Sequence, residues 1–181
     1  YKDMYYGDQE HVSITKFPGM RERTVILDGF SKSYAMTGWR LGYGVFPDFL
    51  VEPVVRLMTN SVSCTSVFSQ MAAIAALEGP QDSVGMMMEE FTKRRDLIVA
   101  GLNSLPGITC PEPKGAFYAF PNIKGTGLSS KEFAEKAMYE AGVALLAGTA
   151  FGSFGDGYVR ISFANSQDNL REAIHRLETI L

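Results

Sequence analysis

The chain is poor in the residues that build covalent or metal frameworks. It has two cysteines, Cys64 and Cys110, and two histidines, His11 and His175, all far apart. A disulfide scaffold or a zinc site needs ligands paired or clustered at short spacing, so neither organises this sequence. Two reduced, partly buried thiols and two surface or packing histidines are expected, and with them a reducing, cytoplasmic setting. Positive charge is also in short supply: 17 Lys and Arg face 20 Asp and Glu, for a net charge of −3. Such a chain presents no general basic field to nucleic acid or to an anionic membrane. No apolar run approaches the roughly 20 residues that span a bilayer. The opening YKDMYYGDQEH lacks the cationic-then-apolar order of a secretory signal. It does not begin with Met, so a fragment or a processed chain is expected.

What remains is the makeup of a globular protein. The 181 residues are 46% hydrophobic and 20% charged, enough apolar mass for a sizeable core. TVILDGF and LGYGVFP read as short strands, the second stopped by Pro47. PDFLVEPVVRLMTNSV is helical in character, with Pro53 expected to start or kink the helix. TSVFSQMAAIAALEG predicts a helix with Thr65 or Ser66 as N-cap and Gly79 closing it at C′. A long helix follows over about 81–105, with Met86 to Met88 expected to pack in the core. Beyond Pro106-Gly107 the pattern changes. ITCPEP, GAFYAFPNI, VALLAG and YVRISFA read as strands. SSKEFAEKAMYEAG and SQDNLREAIHRLETIL read as capped helices. The fold class is therefore α/β. Residues 1–80 look like the tail of a larger domain, and residues 81–181 like a small α/β domain of their own.

One stretch carries chemistry: DGFSKSYAMTGWRLGYGV, Asp28 to Val45. Lys32 follows one predicted strand and Arg40 precedes the next, so both cations belong at the same end of a sheet, where ligands bind in such folds. Met36, Trp39, Leu41 and Tyr43 predict an apolar, packed connection between them. A neutral lysine amine suits imine chemistry, and a planar guanidinium suits a phosphate. Together they point to pyridoxal 5'-phosphate. A second cation, Arg160 in YVRISFA, stands in an apolar strand. Burying it unpaired is costly, so it needs either a carboxylate ligand or an ion pair with Asp156 or Asp168.

GFSKSYAMTGWRLG resembles the lysine signature of the class I/II aminotransferases, the aspartate aminotransferase-like enzymes of fold type I. CTSVFSQMAAIAAL, FTKRRDLIVAGLN, PKGAFYAF, GVALLAGTAFG and GYVRISFANS resemble that family's later segments, in order. The resemblance covers the whole chain but only the C-terminal half of a typical member. It implies the end of the large-domain sheet plus the small C-terminal domain. It implies that Lys32 forms the imine with the cofactor aldehyde and then moves the substrate proton. Arg40 would hold the cofactor phosphate, Tyr1 would hydrogen-bond the phenolic oxygen, and Arg160 would grip the substrate α-carboxylate. The family often has a serine where Gly29 stands, so Ser31, or Ser33, is the candidate replacement donor to the phosphate. The implied reaction is ping-pong transfer of an amino group from an amino acid to a 2-oxo acid. The implied assembly is a homodimer, with CTSVFSQ toward the partner's cofactor and neither nucleic acid nor membrane as partner. The family's aspartate for the pyridine nitrogen would lie just before residue 1, so the 181-residue piece alone is expected to be inactive. A lyase or synthase on the same fold, or the aminotransferase-like effector domain of a transcription regulator, are the alternatives.

Overall fold

The computed structural model describes all 181 residues, Tyr1 to Leu181. They form two compact units, Tyr1–Met86 and Met87–Leu181.

In the first unit, strands β1 (Ile26–Gly29) and β2 (Gly42–Val45) pair antiparallel, with Gly29 opposite Gly42. Glycine at these paired positions is a matter of space: a Cβ on Gly42 would lie 3.0 Å from the Asp28 carbonyl oxygen, and one on Gly29 3.3 Å from that of Leu41. Helix α1 (Asp48–Val62) continues through Pro53, so the helix does not start at that proline. Pro53 leaves the Phe49 carbonyl without its helical donor, but both residues are exposed, so water can serve. Helix α2 (Val67–Glu78) starts after Ser66, whose side chain makes no capping bond. Gly79 ends it in an extended conformation rather than the expected left-handed one.

Helix α3 (Asp82–Ser104) buries Phe91, Ile98 and Leu102, a helical stripe. The methionines do not join it as expected: Met86 is 64% exposed, and Met87 and Met88 are half-buried. In the second unit β3 (Tyr118–Ala119), β5 (Val159–Ser162) and β4 (Leu146–Ala147) form an antiparallel sheet with β5 central. The expected ITCPEP strand reduces to one bridge, Thr109 to Asn122, because Pro111 and Pro113 have no N–H to donate. Helix α4 (Ser130–Tyr139) carries a full capping box between Ser129 and Glu132. Helix α5 (Gln167–Glu178) is capped by Ser166. Leu102, Ala119, Ile123, Phe133, Val159, Phe163 and Leu177 form the core of this unit.

Candidate active site

The connection from Phe30 to Leu41 joins β1 to β2, so Lys32 and Arg40 stand at the same end of the hairpin, as their spacing predicts. Its anchors are Phe30, Met36 and Leu41, which pack on Ala72, Ala73 and Ala76 of α2. Small alanines on that helix face let a backbone loop approach closely, and the buried side chains fix it there. Turn bonds from Ala35 N–H to the Lys32 carbonyl (3.1 Å) and from Met36 N–H to the Phe30 carbonyl (3.3 Å) shape the lysine's segment. The packing is one-sided, however. Trp39 is 47% exposed and Tyr43 37%, against the expectation of a fully packed connection.

Lys32 is half-buried, and its Nζ lies 5.7 Å from the centre of the Tyr1 ring. Tyr1, Leu27, Asp28, Gly29, Ser31 and Lys32 line one cleft of about 340 Å³. Of the residues singled out in the sequence, Tyr1, Ser31 and Lys32 thus come together, while Arg40 does not line this cleft. Arg40 is exposed at the other end of the connection in a left-handed conformation, φ +51°. Its Nη1 donates to the Thr37 carbonyl at 2.9 Å, and no carboxylate lies within ion-pair distance. A guanidinium held in strained backbone and bonded only to a neutral oxygen keeps donors for an anion. An amine, a hydroxyl and a phenol in the cleft, with a guanidinium at the same hairpin end, are donors that suit an aldehyde-bearing phosphate ester.

Ser33 is not part of the cleft. It is buried and hydrogen-bonded to Asp3, whose carboxylate also takes the Lys2 ammonium at 2.9 Å. Desolvation pushes the Asp3 carboxyl up, but the bonds from Lys2 and Ser33 outweigh it and leave it below its ordinary value. Tyr43 Oη donates to Asp28 Oδ2 at 3.1 Å. Burial, and then that carboxylate, raise the Tyr43 phenol. The Lys2–Asp3–Ser33 group behind the lysine was not legible in the sequence; adjacent opposite charges at an exposed-looking start carry no distinguishing pattern.

In the second unit, Val159 and Ile161 of β5 point into the core and Arg160 to the other face. Its guanidinium is sandwiched between two rings, 4.4 Å from the Tyr118 centroid and 4.6 Å from that of Phe151. Neither Asp156 nor Asp168 pairs with it; Asp168 holds Arg171 at 3.0 Å instead. The ion-pair alternative is thereby overturned, and Arg160 is a half-buried cation with its hydrogen-bonding edge uncommitted to any carboxylate of the chain. The aromatic flanks were missed. The register of β3 on β5, Tyr118 opposite Ser162, is what brings a ring from PKGAFYAF near Arg160.

The chain matches the family described as aminotransferase class I and II over residues 1–177. It belongs to that family. It is 45% identical to an aspartate aminotransferase of Pyrococcus abyssi and 45% identical to aromatic-amino-acid aminotransferase 2 of Thermococcus litoralis. Each match covers 100% of this chain and 47% of the relative. Among solved structures, an aromatic aminotransferase from Pyrococcus horikoshii superposes with a TM-score of 0.95 at 44% identity, over 100% of this chain and 48% of that one. The aspartate aminotransferase from Rhizobium meliloti gives 0.93 at 37%, over 99% and 47%. The chain therefore has the fold type I architecture, and it spans about half the length of the curated relatives it matches.

Proposed function

We propose that this chain is the lysine-bearing part of an aminotransferase that moves an amino group from an amino acid to a 2-oxo acid, with pyridoxal 5'-phosphate as cofactor. The observation that carries the reading is the half-buried Lys32 amine in a cleft it shares with the Tyr1 phenol and Ser31, at the same hairpin end as Arg40. When bound, the cofactor supplies an aldehyde that condenses with amines and a ring that draws electrons from the substrate Cα. Lys32 Nζ would hold the cofactor aldehyde and, as a free amine, would take the substrate Cα proton and later deliver a proton back. Arg40 and Ser31 would donate to the cofactor phosphate, and Tyr1 Oη would donate to its phenolic oxygen. Arg160 takes the substrate α-carboxylate in the plane of its guanidinium, edge-on between the rings of Tyr118 and Phe151.

Residues 1–80 then serve as the end of the large cofactor-binding domain and residues 81–181 as the small domain. The names of the relatives support an acidic or aromatic amino acid as donor. A homodimer as the working form and the cytoplasm as its place rest on the family resemblance alone. No helix is long and apolar enough to cross a membrane. Adding the cofactor to the full-length enzyme should produce a visible absorption band that Lys32→Ala abolishes. A full-length protein that gives no band refutes the reading.

A further inference from the structure

A serine at the start of α4 is tied to the environment of Arg160 although it lies far from it in sequence. Ser130 is fully buried, and it does not cap its helix, because Ser129 does. Its Oγ accepts from the N–H groups of Gly157 (2.8 Å) and Tyr158 (3.2 Å). It faces the Gly155 carbonyl at 3.2 Å and Asp156 Oδ1 at 3.4 Å as acceptors for its proton. One hydroxyl thus fastens the whole turn Gly155–Tyr158, and Arg160 follows two residues later on β5.

That turn is clasped to a second segment. The Gly148 N–H donates to the Tyr158 carbonyl at 2.8 Å, and Gly148 and Gly155 meet backbone to backbone so closely that a Cβ on either would collide with the other's carbonyl oxygen. Gly148 opens the short 3₁₀ turn Gly148–Phe151, and Phe151 is the ring on one face of the Arg160 guanidinium. The hydroxyl therefore sets two things together: where β5 begins, and where the Phe151 ring lies over the arginine.

We infer that Ser130 is a positioning residue for substrate recognition, acting through the Gly148–Gly155 clasp to hold Arg160 and Phe151 in the arrangement that receives a carboxylate. The inference rests on the carboxylate-binding reading of Arg160 given above. It assigns Ser130 no part in the amine chemistry of Lys32, so its loss should appear in substrate affinity alone.

The test uses the full-length, cofactor-loaded enzyme. Ser130→Ala should raise the substrate KM, and the Kd of an unreactive carboxylate, by about tenfold, with kcat changed less than about twofold. The carboxylate is maleate or 3-phenylpropionate, whichever the unmodified enzyme binds. The visible cofactor band should stay unchanged. Phe151→Leu alters a half-exposed side chain that the fold does not depend on, so it decides the matter should Ser130→Ala not fold; it should raise the same two constants. Arg160→Lys tests the underlying reading. If Arg160→Lys leaves KM unmoved, the carboxylate reading and this inference fall together. If Arg160→Lys raises KM while the folded Ser130→Ala and Phe151→Leu variants leave it unmoved, or lower kcat instead, only the inference falls.

Discussion

At the scale of single residues, burial separates groups that look alike in the sequence. The two cysteines were expected to be equivalent, yet Cys64 is exposed and Cys110 is buried. Burial pushes the Cys110 thiol up to about 11, with a backbone bond at Phe120 opposing it only in part. Iodoacetamide at about pH 8 should therefore alkylate one thiol of the folded chain, Cys64, and spare Cys110 until the chain is denatured; equal labelling by mass spectrometry would contradict the burial. Asp3 gives a pH dependence of opposite sense. Its carboxyl is held below the usual value, so its contribution to stability is present above about pH 4 and is lost as pH falls through the lower folded value. Asp3→Asn should be less stable than the parent at neutral pH, with the gap closing in acid denaturation curves. Lys32, Arg40 and Arg160 could be singled out in the sequence as candidates because each cation stands in an apolar or strand-end setting that charge alone does not explain. The contacts of Asp3, Ser130 and Phe151 could not be read there, because their partners are brought close only by the fold.

At the scale of elements, helices were read more truly than strands. The ends of α4 and α5 carry local chemistry, Ser129 with Glu132 and Ser166 with Asn169, that needs nothing distant to be recognised. Ser129→Ala should cost about 1 kcal/mol in denaturant unfolding, since it opens the capping box. The strands of the second unit are two to four residues long, and too short a run of alternation leaves no period to read. The expected ITCPEP strand failed for that reason and for its prolines. Pro53 did not mark a helix start, because solvent can repair at an exposed site what a buried helix could not. Where the clasp between Gly148 and Gly155 leaves no space, chemistry is unforgiving. Gly155→Ala should destabilise by about 3 kcal/mol or prevent folding, as thermal melting would show.

At the scale of the molecule, the two units differ in how completely they enclose their apolar residues. Seventeen hydrophobic residues are buried within Met87–Leu181 but only six within Tyr1–Met86. In the first unit Leu27, Phe49, Leu57, Val67, Phe68 and Met71 are each more than 60% exposed. Exposed apolar area on this scale marks surfaces that are covered in a working protein. The 181-residue chain should therefore bind a hydrophobic dye and self-associate in sedimentation, whereas residues 87–181 expressed alone should do neither. Equal dye binding by both would contradict the division. The architecture was legible through one long signature and the order of later segments. Which apolar faces need covering was not, since an exposed valine and a buried one are the same letter.

Arg40 places a limit on what mutation can reach. Its backbone is left-handed, which glycine or asparagine would adopt at less strain, and its side chain is cationic, which only lysine could imitate. No single substitution satisfies both demands. On the phosphate role proposed for Arg40, a saturation library at this codon should split into two failing classes: variants that fold more readily but hold phosphate poorly, and variants that keep charge but not the fork. A position caught between a conformational preference and a chemical one has nowhere to drift.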